Sequence, residues 1–89
     1  MNITVDISMY PLAEDYKPAI KSFIRRLREF AGLKLVTNQL STQVNGEFDA
    51  VTAALNACIY KSMGQQNTVV FIARYLNVDL DVTRSPQID

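Results

Sequence analysis

Apolar and polar residues alternate without a break over the first ten residues of the chain. The apolar positions fall on one side of an extended backbone, and these are Ile3, Val5, Ile7 and Met9. Such alternation predicts a strand with one buried face over residues 2–10. Pro11 is expected to end this strand, because proline has no N–H to donate to a sheet.

The next segment carries apolar residues at the three- and four-residue spacing of an amphipathic helix. We predict this helix from Asp15, acting as its N-cap, to Ala31, with Gly32 as its stop. Its basic residues recur along another face, which is ordinarily a solvated face; a surface for a phosphate or an acidic partner is the alternative. These basic residues are Lys17, Lys21, Arg25 and Arg28.

A second helical period is predicted from Phe48 to Met63, with Gly64 as its end. Asp49 lies in its first turn, where the helix dipole favours a carboxylate, and a ligand contact is the alternative interpretation. The residues expected to face inward are Phe48, Val51, Ala54, Leu55, Cys58, Ile59 and Met63.

The remaining apolar stretches predict three more strands. Residues 33–48 read as two short strands joined by a compact turn at residues 38–40. Residues 68–76 are apolar on both faces, as in a central strand or in one covered by a partner. Residues 1–78 then form one domain, and residues 79–89 form a polar C-terminal tail without a period.

The order strand, helix, strand, strand, helix, strand predicts an α+β fold of the ferredoxin-like βαββαβ type. In this fold two helices cover one face of a four-stranded antiparallel sheet. The opposite face stays bare and carries residues of mixed polarity, which is typical of a sheet that pairs with a second copy. We therefore expect a homodimer or a homotetramer assembled through the open sheet face.

Composition and charge narrow the possible functions. Nine basic and nine acidic residues cancel, so nucleic-acid binding is not expected. The N-terminus lacks a signal-peptide pattern and the apolar runs are too short to span a bilayer, which favours a cytoplasmic protein without membrane insertion. The chain has one cysteine and no histidine, so we expect no metal site, no nucleophilic triad and no enzymatic activity.

Polar residues gather around the predicted turn and the strand after it. Asn38, Ser41, Thr42 and Gln43 offer hydrogen-bond donors and acceptors. In the split βαββαβ arrangement, Ser8 and Tyr10 at the end of the first strand share one end of the sheet with them. Such a cluster suits a neutral or weakly charged small molecule, and ordinary turn chemistry is the alternative.

Two short motifs carry a resemblance to a known family. SMYPL at Ser8 to Leu12 and LSTQVNGEFDAV at Leu40 to Val51 resemble the YkoF-like group of thiamine and hydroxymethylpyrimidine binding proteins, over roughly residues 3 to 76. The resemblance implies a ferredoxin-like domain without catalysis that binds thiamine or its pyrimidine precursor in salvage or transport. It implies a ligand-binding set that provides hydrogen bonds and ring packing, namely Ser8, Tyr10, Ser41, Thr42 and Gln43. We add Asn38 to this set because of its place in the predicted turn.

The chain departs from the YkoF pattern in one respect, and alternative functions remain open. YkoF carries two such domains in tandem and this chain carries one, so another subunit is expected to supply the second. A thiazolium cation would favour a nearby carboxylate, for which Asp6 and Asp49 are candidates. The alternatives are a regulatory or scaffolding module whose sheet face binds another protein, and a cofactor-free oxygenase of the dimeric ferredoxin-like kind.

Overall fold

The computed structural model describes residues 1–88 and contains four strands and two helices. These are β1 (Asn2–Pro11), α1 (Lys17–Arg28), β2 (Lys34–Thr37), β3 (Thr42–Glu47), α2 (Phe48–Gln65) and β4 (Val69–Leu76). The strands form one antiparallel sheet in the order β2-β3-β1-β4. The predicted ferredoxin-like βαββαβ fold is therefore confirmed.

Strand β1 lies inside the sheet, and its alternation divides the two faces as predicted. Ile3, Val5 and Ile7 are buried beneath the helices. Pro11 does not end the strand early: it is the last residue of β1 and pairs with Val69. Because the Leu12 amide donates to the Thr68 carbonyl at 3.0 Å, Pro11 occupies a non-hydrogen-bonded position, where its missing N–H is not needed.

The core lies between the sheet and the inner faces of the two helices. Phe23 of α1 packs against Phe71 of β4 with ring centroids 5.2 Å apart, and Cys58 of α2 is buried as predicted. The buried apolar residues are Ile3, Val5, Ile7, Phe23, Leu27, Val44, Val51, Ala54, Leu55 and Cys58.

The inner face of α2 differs from the prediction at both ends. Met63 is 54% exposed and Phe48 is 41% exposed. The buried stripe continues from Cys58 to Ser62, four residues later, so Met63 is rotated by about 100° from it. Gly64 does not end the helix, which continues to Gln65.

Helix α1 is shorter than predicted. It begins at Lys17, and its N-cap is Tyr16 rather than Asp15, with no side-chain cap hydrogen bond. It ends at Arg28, and Gly32 follows with a φ of +80°, a left-handed conformation that glycine adopts without strain. The predicted basic stripe, which comprises Lys17, Lys21, Arg25 and Arg28, is exposed.

Strand β4 is an edge strand, which excludes a central strand, the first of the two possibilities left open by its sequence. It pairs with β1 alone, and much of its apolar surface remains exposed, with Ile72 57% and Tyr75 53% accessible. An apolar sequence on both faces is equally compatible with burial in the sheet and with a strand that a partner covers. Its cover by a partner stays a prediction.

The C-terminal clasp, which we define as residues 78–80, crosses the sheet face opposite the helices. The Thr4 hydroxyl donates to the Val78 carbonyl at 2.7 Å and accepts from the Leu80 amide at 3.1 Å. The Asn45 side-chain nitrogen donates to Asp79 Oδ1 at 2.9 Å. The clasp explains why Thr4 and Asn45 are buried, and it binds two residues of the predicted tail to the sheet. The predicted boundary between the domain and its C-terminal tail, at residues 78 and 79, stays a prediction.

Candidate functional site

All six predicted site residues lie at one end of the sheet. This end is formed by the second half of β1 and by the hairpin that joins β2 to β3. The hairpin separates two clefts, one beside α1 and one on the open sheet face, which we call the helix-side cleft and the sheet-face cleft. Ser8, Tyr10, Asn38 and Ser41 line both clefts.

The helix-side cleft has a volume of about 450 Å³. The end of β1, the first turns of α1 and the hairpin enclose it, so it forms where the strand-to-helix connection diverges from the sheet. Tyr16 and Phe23 supply aromatic surface from α1 and its N-cap, and Thr42 is the fifth predicted residue on the cleft wall. The lining is Ile7, Ser8, Met9, Tyr10, Pro11, Leu12, Tyr16, Ile20, Phe23, Ile24, Thr37, Asn38, Gln39, Leu40, Ser41 and Thr42.

The sheet-face cleft is of similar size, about 450 Å³, and is more polar. Its floor contains the Asp6 carboxylate, which is 20% exposed and forms an ion pair with the 77% exposed Arg74 at 2.8 Å. Gln43 is the predicted residue found in this cleft alone. The lining is Asp6, Ser8, Tyr10, Asn38, Leu40, Ser41, Gln43, Ile72 and Arg74.

Asp6 organises a hydrogen-bond network across three strands. The Ser41 hydroxyl donates to Asp6 Oδ1 at 2.6 Å, and Gln43 Nε2 donates to the same oxygen at 2.8 Å. Arg74 Nη2 donates to the other oxygen, Oδ2, at 2.8 Å. The Ser41 hydroxyl, and then Arg74, hold the pKa of the Asp6 carboxyl below its usual range. Asp6 is therefore ionised at neutral pH. Ser41 and Gln43 hold its carboxylate in place by hydrogen bonds from the hairpin and from β3.

Asn38 closes the hairpin with its own side chain. Its Oδ1 accepts from the Leu40 and Ser41 amides at 2.9 and 3.0 Å, which is an Asx turn. The Asn38 side-chain nitrogen has no partner within residues 1–88 and remains available as a donor. Thr42 is buried, and its hydroxyl pairs with that of Thr37 at 3.0 Å.

The predicted residues therefore differ in what they can offer a ligand. Asn38 and Tyr10 retain free polar groups within the part of the chain described, whereas Ser41 and Thr42 are engaged in bonds inside the protein. The sequence analysis did not identify Tyr16 as a site residue. The spacing of apolar residues indicates where α1 begins, but it does not show which end of the sheet the start of α1 approaches. The assignment of all six residues as ligand contacts stays a prediction.

Asp49 lines neither cleft. It lies in the first turn of α2, and its amide donates to the side chain of the N-cap Glu47 at 2.9 Å. Its helix-start interpretation is the one that this geometry supports.

Among residues 1–88 there is no group of three or more potential metal-ligating His, Cys, Asp or Glu side chains. No helix in the same range has the length and apolar character needed to cross a bilayer.

Comparison with known proteins gives one family and several related structures. The sequence profile of the YKOF-related family matches residues 2–80. No curated protein sequence matches the chain. A protein from Streptococcus pneumoniae shares 17% identity, with 93% of this chain and 94% of that chain covered and a TM-score of 0.82.

Two further structures are similar at comparable identity. A candidate thiamine biosynthesis/salvage protein from Thermotoga maritima is 19% identical, with 97% of this chain and 90% of that chain covered and a TM-score of 0.75. A domain of unknown function, DUF77, from Bacillus cereus is 15% identical, with 89% and 78% covered and a TM-score of 0.73. At these identities the structural likeness shows the fold alone.

Proposed function

The chain belongs to the YKOF-related family, as its motifs predicted, and we propose that it is a non-catalytic binding protein for thiamine or its hydroxymethylpyrimidine precursor. The observation that carries the proposal is the helix-side cleft of about 450 Å³. Ligand sites of this kind have volumes of about 300–1,000 Å³ and are mostly apolar, with a few polar groups that fix orientation. The similarity in fold to a candidate thiamine salvage protein supports the same role.

The cleft offers both kinds of contact that an aminopyrimidine needs. Tyr16 is 48% exposed at its mouth, so its ring is available to stack on a heteroaromatic ligand. The Asn38 side-chain nitrogen can donate to a ring nitrogen, while Tyr10 at the shared rim adds a hydroxyl group. The lining provides no histidine, cysteine or carboxylate as a general base or a nucleophile, which favours binding over catalysis.

Isothermal titration calorimetry with thiamine and with hydroxymethylpyrimidine tests this function. We expect saturable binding that Tyr16→Ala weakens by about tenfold, since the variant loses the stacking surface. Tyr16 makes no side-chain cap bond to α1, so the fold should be unaffected. Tyr60→Ala is the matched control, because Tyr60 is 82% exposed on α2 and lines neither cleft. Absence of heat with both ligands at millimolar concentration would refute the proposed function.

We also propose a homodimer or homotetramer in the cytoplasm, assembled through the open sheet face. Ile72, Val70 and Leu40 are 57%, 41% and 82% exposed; Ile72 and Leu40 line the sheet-face cleft, and Val70 lies on the same face of β4. A group of exposed apolar side chains is typical of an interaction surface. Sedimentation equilibrium should give a multiple of the 10.0 kDa chain mass, and Ile72→Lys should lower it.

The same surface supports a second candidate function, a regulatory or scaffolding module that binds another protein. A monomeric wild-type chain that binds neither ligand would favour this alternative. An assembled chain that binds a ligand would contradict it.

A further inference from the structure

The helix-side cleft is uncharged throughout. Sixteen residues line it, and none of them is Asp, Glu, Lys or Arg, although 20% of the chain is charged. Transfer of an ionic group from water into such surroundings carries a large desolvation penalty unless a counter-charge is present. The cleft therefore discriminates among ligands according to their charge.

The two acidic candidates for a counter-charge do not reach this cleft. Asp6 lies on the opposite face of the sheet, where Ser41, Gln43 and Arg74 already occupy both of its carboxylate oxygens. Asp49 lies in the first turn of α2 and lines neither cleft. A cationic ring in the helix-side cleft would find no carboxylate among the lining residues. Glu14 and Asp15, which precede the lining residue Tyr16, are exposed to solvent and do not belong to the lining.

The start of α1 adds to this discrimination. Tyr16, the N-cap of α1, lines the cleft, and the partial positive charge at a helix N-terminus disfavours a cation nearby. Pro18 in the first turn removes one of the N–H groups that would otherwise bind an anion. A phosphate group would also lack an arginine or lysine on the cleft wall.

From this arrangement we infer that the helix-side cleft selects a neutral aminopyrimidine and rejects its cationic and phosphorylated derivatives. The ligand class is a small uncharged heteroaromatic ring that accepts from the Asn38 side-chain nitrogen and stacks on Tyr16. Free hydroxymethylpyrimidine belongs to this class, whereas thiamine carries a thiazolium cation and hydroxymethylpyrimidine phosphate carries an anion. This inference rests on the proposed function.

Calorimetry with these three compounds at one pH and ionic strength tests the inference. We expect hydroxymethylpyrimidine to bind at least fivefold more tightly than thiamine and than hydroxymethylpyrimidine phosphate. A smaller preference, or tighter binding of either charged compound, would overturn the inference and leave the proposed function standing. Absence of binding by all three would instead refute the proposed function, and the inference with it.

A variant that adds charge tests the physical cause. Leu12 lines the cleft and is 63% exposed, so Leu12→Glu places a carboxylate at the mouth without disturbing the core. We expect it to raise the affinity for thiamine relative to hydroxymethylpyrimidine by about threefold to tenfold at low salt. Leu12→Gln is the matched control and should leave this ratio unchanged. An unchanged ratio in Leu12→Glu, or an equal change in Leu12→Gln, would show that charge does not set the selectivity.

Discussion

Removal of the Asp6 carboxylate should destabilise the protein more than a typical surface substitution does. Asp6→Ala removes the acceptor of the Ser41 hydroxyl, at present 2.6 Å away, and one of the two acceptors of Gln43 Nε2, at present 2.8 Å away. The other acceptor of Gln43 Nε2 is the Ser41 hydroxyl oxygen at 2.8 Å. Hydrogen bonds to a charged group contribute about 1.5–3 kcal/mol each when sheltered. The bond to Arg74 contributes less, because that side chain is 77% exposed, and exposed ion pairs contribute at most about 1 kcal/mol.

Water can replace part of this network in the open cleft, so we expect a loss of about 2 kcal/mol in the free energy of unfolding. Urea unfolding followed by far-UV circular dichroism should show a midpoint lower by roughly 1 to 2 M. Asp15→Ala is the control, since Asp15 is exposed and is expected to shift the free energy by less than about 0.5 kcal/mol. A loss below that limit in Asp6→Ala would contradict the role we assign to the network.

The same network gives the stability a defined dependence on pH. The pKa of Asp6 is lowered in the folded protein, chiefly by the Ser41 hydroxyl and then by Arg74. A lowered folded-state pKa adds stability that is complete above the unfolded-state pKa of about 3.9 and is lost as the pH falls through the folded-state value. The stability difference between wild type and Asp6→Asn should therefore shrink as the pH falls below about 4. A difference that stays constant down to pH 2 would contradict this assignment.

The remaining predictions concern two glycines, the clasp and the buried cysteine. Gly46→Ala should destabilise the protein by about 1–3 kcal/mol in urea unfolding, since its Cβ would lie 2.9 Å from Leu33 Cδ2 and 3.3 Å from both the Gly32 carbonyl oxygen and Val51 Cγ2. Gly64→Ala is the contrast: its Cβ meets nothing within 4 Å, so it should stabilise α2 by up to about 1 kcal/mol. Thr4→Val removes both hydroxyl bonds to the C-terminal clasp, so hydrogen exchange of the clasp amides should accelerate, and unchanged exchange would argue against it. Cys58 is buried and burial raises the pKa of its thiol, so a thiol reagent at pH 8 should label it only after denaturant is added; rapid labelling of the native protein would refute its burial.

Much of the fold follows from residue patterns that burial imposes directly. The alternation of Ile3, Val5 and Ile7 predicts the buried face of β1, and the order of elements predicts the βαββαβ architecture. The position of β4 did not follow, because an edge strand with exposed apolar residues and a central strand have the same pattern. Only the pairing of β4 with β1 alone distinguishes them.

The sequence predicted that the candidate residues lie together, but it did not predict the contacts that each of them makes. Chain topology brings Ser8 and the hairpin to one end of the sheet, and this could be expected from the element order. The bonds from Ser41 and Gln43 to Asp6 depend on the cross-strand register, in which Gln43 lies opposite Asp6. The place of Tyr16 in the cleft depends on how α1 packs, which local sequence does not encode.

The hairpin forms a wall that the two clefts share. Asn38, Leu40 and Ser41 line both clefts, so a molecule bound in one of them contacts the wall of the other. If occupancy of the sheet-face cleft changes the affinity of the helix-side cleft by some factor, linkage requires the reverse effect to be equal. Assembly through the open sheet face would then respond to ligand concentration, and ligand affinity would respond to protein concentration.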